Sequence, residues 1–175
     1  MTDWDWRPQV VHLKAGTTLV GYRLCPGATI ASTGLADDGL NAGNLEGMIE
    51  SEATAHAEIF ELIDTLARSN STVEQVARQS GRTARTLQRQ FRDLALPSPD
   101  FWRLLGRARR AAKALPRRVP LAEIAHEHGY SDQAHMTREF VRWFGHSPSR
   151  LRQDGTAIID VSQPGLGNWR NDSGS

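Results

Sequence analysis

Two sets of side chains about 49 residues apart carry the residue types best suited to binding a partner in this sequence. The sets are Arg85, Gln88 and Arg89, and Gln133, Ala134, Thr137 and Arg138. Arginine can bind guanine through two hydrogen bonds, glutamine can bind adenine in the same way, and small methyl groups can contact thymine. We therefore predict that both sets contact the edges of DNA bases.

These sets lie in the second half of an internal repeat. The segment Val73–Phe91 resembles Leu121–Phe140, with an offset of 48 residues before the shared glycine and 49 after it. Each copy predicts two short helices, of which the second buries an i, i+4 pair: Leu87 with Phe91, and Met136 with Phe140. The outward face of that second helix then carries the base-contacting sets.

The turn between the two helices has the same chemistry in both copies. Gly81 and Gly129 stand where the chain must turn sharply, and we expect a positive φ at both. Thr83 and Ser131 follow at or near the start of the second helix, where a hydroxyl can cap free N–H groups. Each copy therefore predicts a helix-turn-helix unit.

A longer helix, about residues 98–114, is predicted between the copies. Phe101, Leu104, Leu105, Ala108, Ala112 and Leu115 form its apolar face, while Arg103, Arg107, Arg110 and Lys113 are expected mostly outside. As a rigid spacer it would hold the two recognition helices about 34 Å apart, one turn of DNA. Side chains near the recognition helices are predicted to contact the DNA backbone: Thr83, Arg92, Arg110, Lys113, Ser131 and His135.

The charge distribution favours a polyanionic partner for the same region. Residues 68–152 hold 17 Lys and Arg against 7 Asp and Glu, whereas residues 1–67 hold 3 against 10. The net charge of +1 hides this asymmetry. On charge alone a solvated basic surface is an equal alternative, but the repeat makes double-stranded DNA the preferred partner.

The segment from about Glu52 to Arg152 resembles the DNA-binding domain of the AraC/XylS family of bacterial transcription regulators. The resemblance is carried by Val76–Leu94 and, more specifically, by Ile124–Arg152. It implies a mainly α fold of about seven helices, in which two helix-turn-helix units are joined by a linker helix. It also implies a transcription regulator that binds promoter DNA through the residues named above and contacts RNA polymerase.

The chain divides into an N-terminal extension (1–50), this domain (51–152) and a C-terminal tail (153–175). Two short strands are expected in the extension, over residues 10–13 and 17–24, as a remnant of a sensory domain that could mediate homodimerisation. The first helix is expected from about Glu52, with Ser51 as its cap. The acidic N-terminus, which lacks a signal-peptide pattern, and the single cysteine favour a cytoplasmic protein without a membrane span.

Alternatives remain for the function. His126 and His128 are spaced too closely to share one helix face, so a zinc site is not expected, nor is any cofactor. No catalytic set occurs in usable spacing, which argues against an enzyme. Trp102 and Trp143 are expected in the core. The acidic N-terminal third leaves open a truncated family member that acts as a protein-interaction module or an antagonist of another regulator.

Overall fold

The computed structural model describes residues 14–16, 28–30, 53–55 and 57–154. Within 57–154 the chain forms seven helices: α1 (Ala57–Arg68), α2 (Val73–Gln79), α3 (Ala84–Asp93), α4 (Pro99–Ala114), α5 (Leu121–Glu127), α6 (Gln133–Phe144) and α7 (Pro148–Gln153). The predicted mainly α fold with a linker helix is confirmed. None of these helices is both long and apolar enough to cross a membrane.

Two three-residue strands precede the helices. Strand β1 (Ala28–Ile30) pairs antiparallel with β2 (Ala53–Ala55), with Thr29 opposite Thr54. The strands expected over residues 10–13 and 17–24 lie outside the described residues. The expected start of the first helix near Glu52 is wrong, because residues 53–55 are extended and α1 begins at Ala57. Alanine and threonine fit either state, so pairing with β1 decides the conformation here.

The core consists of two apolar clusters that share α4. The first cluster joins α1, α2 and α3 to Trp102 near the start of α4. The second joins α5, α6 and α7 to Ala111, Ala112 and Leu115 near its end. Each helix-turn-helix unit therefore has its own core, and α4 is the wall common to both, as expected for a rigid spacer.

Helices α1 and α4 approach each other closely at Gly106. A Cβ atom at this position would lie within 2.7 Å of the Cα, C and O atoms of Ala67. Only glycine lets the two helix backbones approach this closely. The sequence pattern gave no indication of this contact, which holds the end of α1 against the middle of α4.

The tryptophans and the apolar residues of α4 follow the expected pattern only in part. Trp102 is fully buried and donates to the Pro97 carbonyl at 3.1 Å. Trp143 is only partly buried, lying edge-on to Phe101 with 5.1 Å between ring centroids, so its expected core position is wrong. Phe101 and Leu104 are also only partly buried, because the inward face of α4 is centred on Trp102, Leu105 and Ala108.

Candidate nucleic-acid interface

The two turns have the same backbone hydrogen bonds. In the first, the amides of Gly81 and Arg82 donate to the Arg78 and Ala77 carbonyls at 3.0 and 2.8 Å. In the second, the amides of Gly129 and Tyr130 donate to His126 and Ala125 at 3.1 and 2.9 Å. The glycines have φ of +68° and +72°, as predicted. The repeat seen in the sequence is therefore a repeat of backbone geometry.

The caps of the two recognition helices differ. Thr83 caps α3, since its Oγ1 accepts from the Thr86 amide at 3.1 Å. In the second unit the cap is Asp132, whose Oδ1 accepts from the His135 amide at 2.6 Å. The expectation that Ser131 caps this helix is thus corrected. Ser131 is the extra residue of the longer second turn, which explains why the offset changes from 48 to 49.

The cap of α6 is also an electrostatic feature. The amide of His135 lowers the pKa of Asp132, and the positive charge of Arg138 contributes to the shift. The hydroxyl of Ser131 lies 3.1 Å from His135 Nδ1, and that imidazole stands edge-on to Tyr130. Ser131 and His135 therefore form one polar group beside the start of the second recognition helix.

The buried faces of the recognition helices fix which side chains point outward. Leu87, Phe91, Met136 and Phe140 are completely buried, as predicted. In α3 the exposed side chains at i, i+3, i+4 and i+7 are Arg85, Gln88, Arg89 and Arg92, and the last residue of the helix, Asp93, is exposed as well. The equivalent positions in α6 are Ala134, Thr137, Arg138 and Val141, with Thr137 partly buried and the others exposed.

Val141 is a member of this face that sequence reasoning missed. It is the one large hydrophobic residue exposed within the described part of the chain, at 50% of its surface. It is the equivalent of Arg92 at the 49-residue offset, and that equivalence was the signal available in the sequence. An exposed valine on a recognition face offers methyl groups where the first unit offers a charge.

The arginines of the two outward faces are available for a partner. Among the ion pairs of residues 57–154, none involves Arg85, Arg89, Arg92 or Arg138. Gln133, the first residue of α6, is also exposed, and its carbonyl accepts from the Thr137 hydroxyl at 2.9 Å. The first unit thus presents three free guanidinium groups, whereas the second presents one beside small and apolar side chains.

Arg110 has a different position from the one expected. Its guanidinium donates to the carbonyls of Ala67 and Ser69, the latter at 3.1 Å, and to Asn70 Oδ1 at 3.0 Å. It thereby binds the last turn of α1 and the loop that follows, and burial lowers its pKa. Lys113, one turn later, is exposed on α4.

Arg107 connects α4 to the second unit. Its Nη1 donates to the Gly129 carbonyl at 3.2 Å, its Nη2 lies 3.4 Å from Glu139 Oε2, and its guanidinium lies 4.4 Å from the centre of the Tyr130 ring. Trp143 Nε1 donates to the same carboxylate at 3.2 Å. Arg107 therefore links α4 to the second unit and Arg110 links it to the first. Both side chains are partly buried, so the expectation that they lie mostly outside is wrong.

Two helix-turn-helix units on one shared helix, with cationic and amide side chains exposed on each second helix, define a DNA-binding protein. A family model described as "Helix-turn-helix domain" matches residues 76–154. The chain is also 29% identical to the "Probable transcription factor PqrA" of Proteus vulgaris over 102 residues, which cover 57% of this chain and 84% of that protein. No solved structure matches the chain significantly.

These matches confirm the resemblance found in the sequence. They support an AraC-type helix-turn-helix domain over residues 76–154 and a DNA-binding regulator of transcription. Within the described residues, no group of three or more His, Cys, Asp or Glu side chains is arranged to hold a metal ion.

Proposed function

We propose that this protein is a sequence-specific regulator that reads two adjacent segments of major groove, one with each recognition helix. The observation that supports this most strongly is the matched pair of outward faces. The two turns have equivalent hydrogen bonds and the helices are anchored by equivalent buried pairs, so the same four helix positions point outward twice. Helix-turn-helix proteins read base edges from these early positions of the second helix.

The two units are proposed to read DNA by different chemistry. In α3, Arg85, Gln88 and Arg89 would donate to purine edges, while Arg92 would neutralise a backbone phosphate. In α6, Gln133 and Arg138 would make the polar base contacts, and Ala134, Thr137 and Val141 would contact thymine methyl groups. The first unit should therefore carry more of the salt dependence of binding than the second.

The proposed backbone contacts are Thr83, Arg92, Lys113, Ser131 and His135. Arg110 is left out of this set of surface contacts, because its guanidinium is partly buried and holds the end of α1 through three oxygen atoms. The hydroxyl oxygen of Thr83 accepts from the Thr86 amide and so caps α3. Thr83 would therefore contact a phosphate by donating its hydroxyl hydrogen while the cap stays in place. Phosphate contacts of this kind position the protein without selecting a sequence.

Selection of bound duplexes from a random pool, followed by affinity measurements on the selected site, tests base reading. Arg89→Ala and Arg138→Ala should each lower affinity for that site by about 1–3 kcal/mol and relax base preference in separate halves of it. Arg92→Ala is the matched control, which should weaken selected and random DNA alike. Equal losses on selected and random DNA for all three variants would refute base reading.

The same selection distinguishes the second class of function. A chain that acts as a protein-interaction module would enrich no motif and would bind its partner with little dependence on salt.

The proposed regulator acts in the cytoplasm and contacts RNA polymerase when bound at a promoter. Transcription in vitro from a promoter carrying the selected site checks this contact, which predicts a change in transcript level that Arg138→Ala diminishes. Homodimerisation through residues 1–50 is proposed with it, and is checked by comparing the mass in solution with that of residues 51–175.

A further inference from the structure

A small basic cavity lies between the two helix-turn-helix units, on the arginine-bearing side of α4. Its volume is about 90 Å³, several times the roughly 10–15 Å³ that one water molecule requires. The loop after α1 lines it with Ser69 and Asn70, and the end of α5 lines it with His128 and Gly129. The remaining lining residues are Arg103, Arg107 and Arg110, which follow one another at i, i+4 and i+7 on α4.

The positive charge of this cavity is only partly neutralised. No carboxylate is among its lining residues. Arg103 pairs with Asp100 at 2.8 Å within α4, and Arg107 pairs with Glu139 at 3.4 Å across the helices. Arg110 has only carbonyl and amide oxygens as partners among the described residues. Three guanidinium groups thus share two carboxylates at a site from which water is partly excluded.

Two buried nitrogen atoms of the lining residues have no hydrogen-bond partner among the described residues. They are Nε of Arg107 and Nε2 of His128. The Nε–H of Arg107 is a donor, and a buried donor without an acceptor typically costs about 1–3 kcal/mol, so it marks a place where an acceptor belongs. Nε2 of His128 donates in one neutral tautomer of the imidazole and accepts in the other. Both residues are among those that line the cavity.

We propose that this cavity binds a tetrahedral oxyanion, namely a phosphate group. Such a group offers acceptor oxygens in several directions, which suits donors that converge from α4, from the loop after α1 and from the end of α5. Two sources share this chemistry: free inorganic phosphate and a phosphate of the DNA backbone. The site is separate from the proposed reading faces and does not depend on base recognition.

Occupation of the site would couple the two units. Arg110 already holds the loop that ends α1, and Arg107 already holds the turn of the second unit through the Gly129 carbonyl. An anion between Arg107 and Arg110 would reduce the repulsion between these two cations, which lie about one turn apart on α4. The orientation of one unit relative to the other would then be more tightly restricted when the anion is bound.

Arg103 is the residue whose removal tests the site without disturbing these connections. Its ion-pair partner, Asp100, lies in the same helix, and its only further interaction given by the structure is the longer-range attraction by which its charge helps to lower the pKa of Glu74 in α2. Arg118, in the segment between α4 and α5, is exposed and provides the matched control. Arg103→Gln and Arg118→Gln remove the same charge by the same substitution.

The measurement is the nuclear magnetic resonance signal of the Arg107 Nε–H group in the full-length protein. Sodium phosphate is titrated into the protein, and sodium chloride at equal ionic strength serves as the reference titrant. A duplex of random sequence is titrated separately in phosphate-free buffer. We expect a saturable shift of this signal, with an apparent affinity that Arg103→Gln lowers roughly three- to tenfold, the size of one ordinary net hydrogen bond. Arg118→Gln should leave it unchanged.

The two titrations separate the sources of the ligand. Saturation by phosphate alone identifies a free anion, whereas a shift by DNA without one by phosphate identifies a backbone phosphate. The proposal is refuted if neither titrant gives a saturable shift, or if both variants weaken it equally. Since the phosphate titration contains no DNA, its failure leaves the test of base reading untouched, and failure of base reading leaves the phosphate result standing.

Discussion

The ion pair between Arg107 and Glu139 should contribute more to stability than a shorter ion pair on the surface. Both side chains are largely buried, with 14% and 13% of their surface exposed, and their charged atoms lie 3.4 Å apart. At an effective dielectric constant of about 20, that distance corresponds to an attraction of about 5 kcal/mol. Desolvation of the two groups opposes most of this, so we expect a net coupling of about 2 kcal/mol.

A double-mutant cycle measures this coupling, with Arg107→Gln, Glu139→Gln and the double variant compared with the parent protein. Each free energy of unfolding comes from urea denaturation at pH 7. The bonds of Arg107 to the Gly129 carbonyl and of Glu139 to Trp143 are lost or altered in the single variants, but they cancel in the cycle as long as they are independent of the pair. What remains is the interaction between the two charges.

The matched control is the pair between Arg117 and Glu127. Its atoms approach to 2.7 Å, yet the side chains are 46% and 45% exposed. An exposed pair typically contributes about 0.2–1 kcal/mol, so the same cycle at these positions should give about 0.5 kcal/mol. If the two couplings are equal, or if the surface pair is the stronger, then burial does not govern these interactions and the assigned role of Arg107 in holding α6 is wrong.

Three further predictions concern stability. Gly106→Ala should destabilise the fold by about 1–2 kcal/mol despite the roughly 1 kcal/mol that alanine gains in a helix, because its Cβ would overlap the backbone of Ala67; thermal unfolding checks this. Arg110→Met should lower the free energy of unfolding in urea by about 2 kcal/mol through loss of its bonds to the end of α1, whereas Lys113→Met should change it little. Burial raises the pKa of Tyr130 to about 12, so the neutral phenol is favoured in the folded state. The contribution of this group to the free energy of unfolding should be constant below pH 10 and should fall by up to about 3 kcal/mol as the pH rises to 12. Tyr130→Phe should remove this part of the alkaline loss in pH-dependent denaturation.

The sequence alone determined the two recognition helices, their buried faces and the turns that precede them. The apolar period located the recognition helices and their buried pairs, and glycine marked the two turns where φ is positive. These features were predictable because they depend on residues within about one helix turn of each other, where backbone sterics and side-chain period act. The unequal offset of the repeat also predicted a longer second turn.

The tertiary structure decided which residues serve each local role where the sequence offered two candidates. Ser131 and Asp132 are both good caps, and in the structure Asp132 caps the helix. Residues 53–55 could continue α1, but they pair instead with β1. The local propensities of residues 53–55 fit either state, so a contact with residues distant in sequence was enough to decide their conformation.

Only the tertiary structure assigned the arginines of α4. The sequence places Arg107 and Arg110 on a basic face that any nucleic-acid-binding helix would expose, whereas their partners lie 32 and 41 residues away in other helices and loops. No local pattern encodes such distances, because they depend on how α1 and α6 pack against α4. The same packing, made close by Gly106, brings three arginines of one helix to a single cavity between the units.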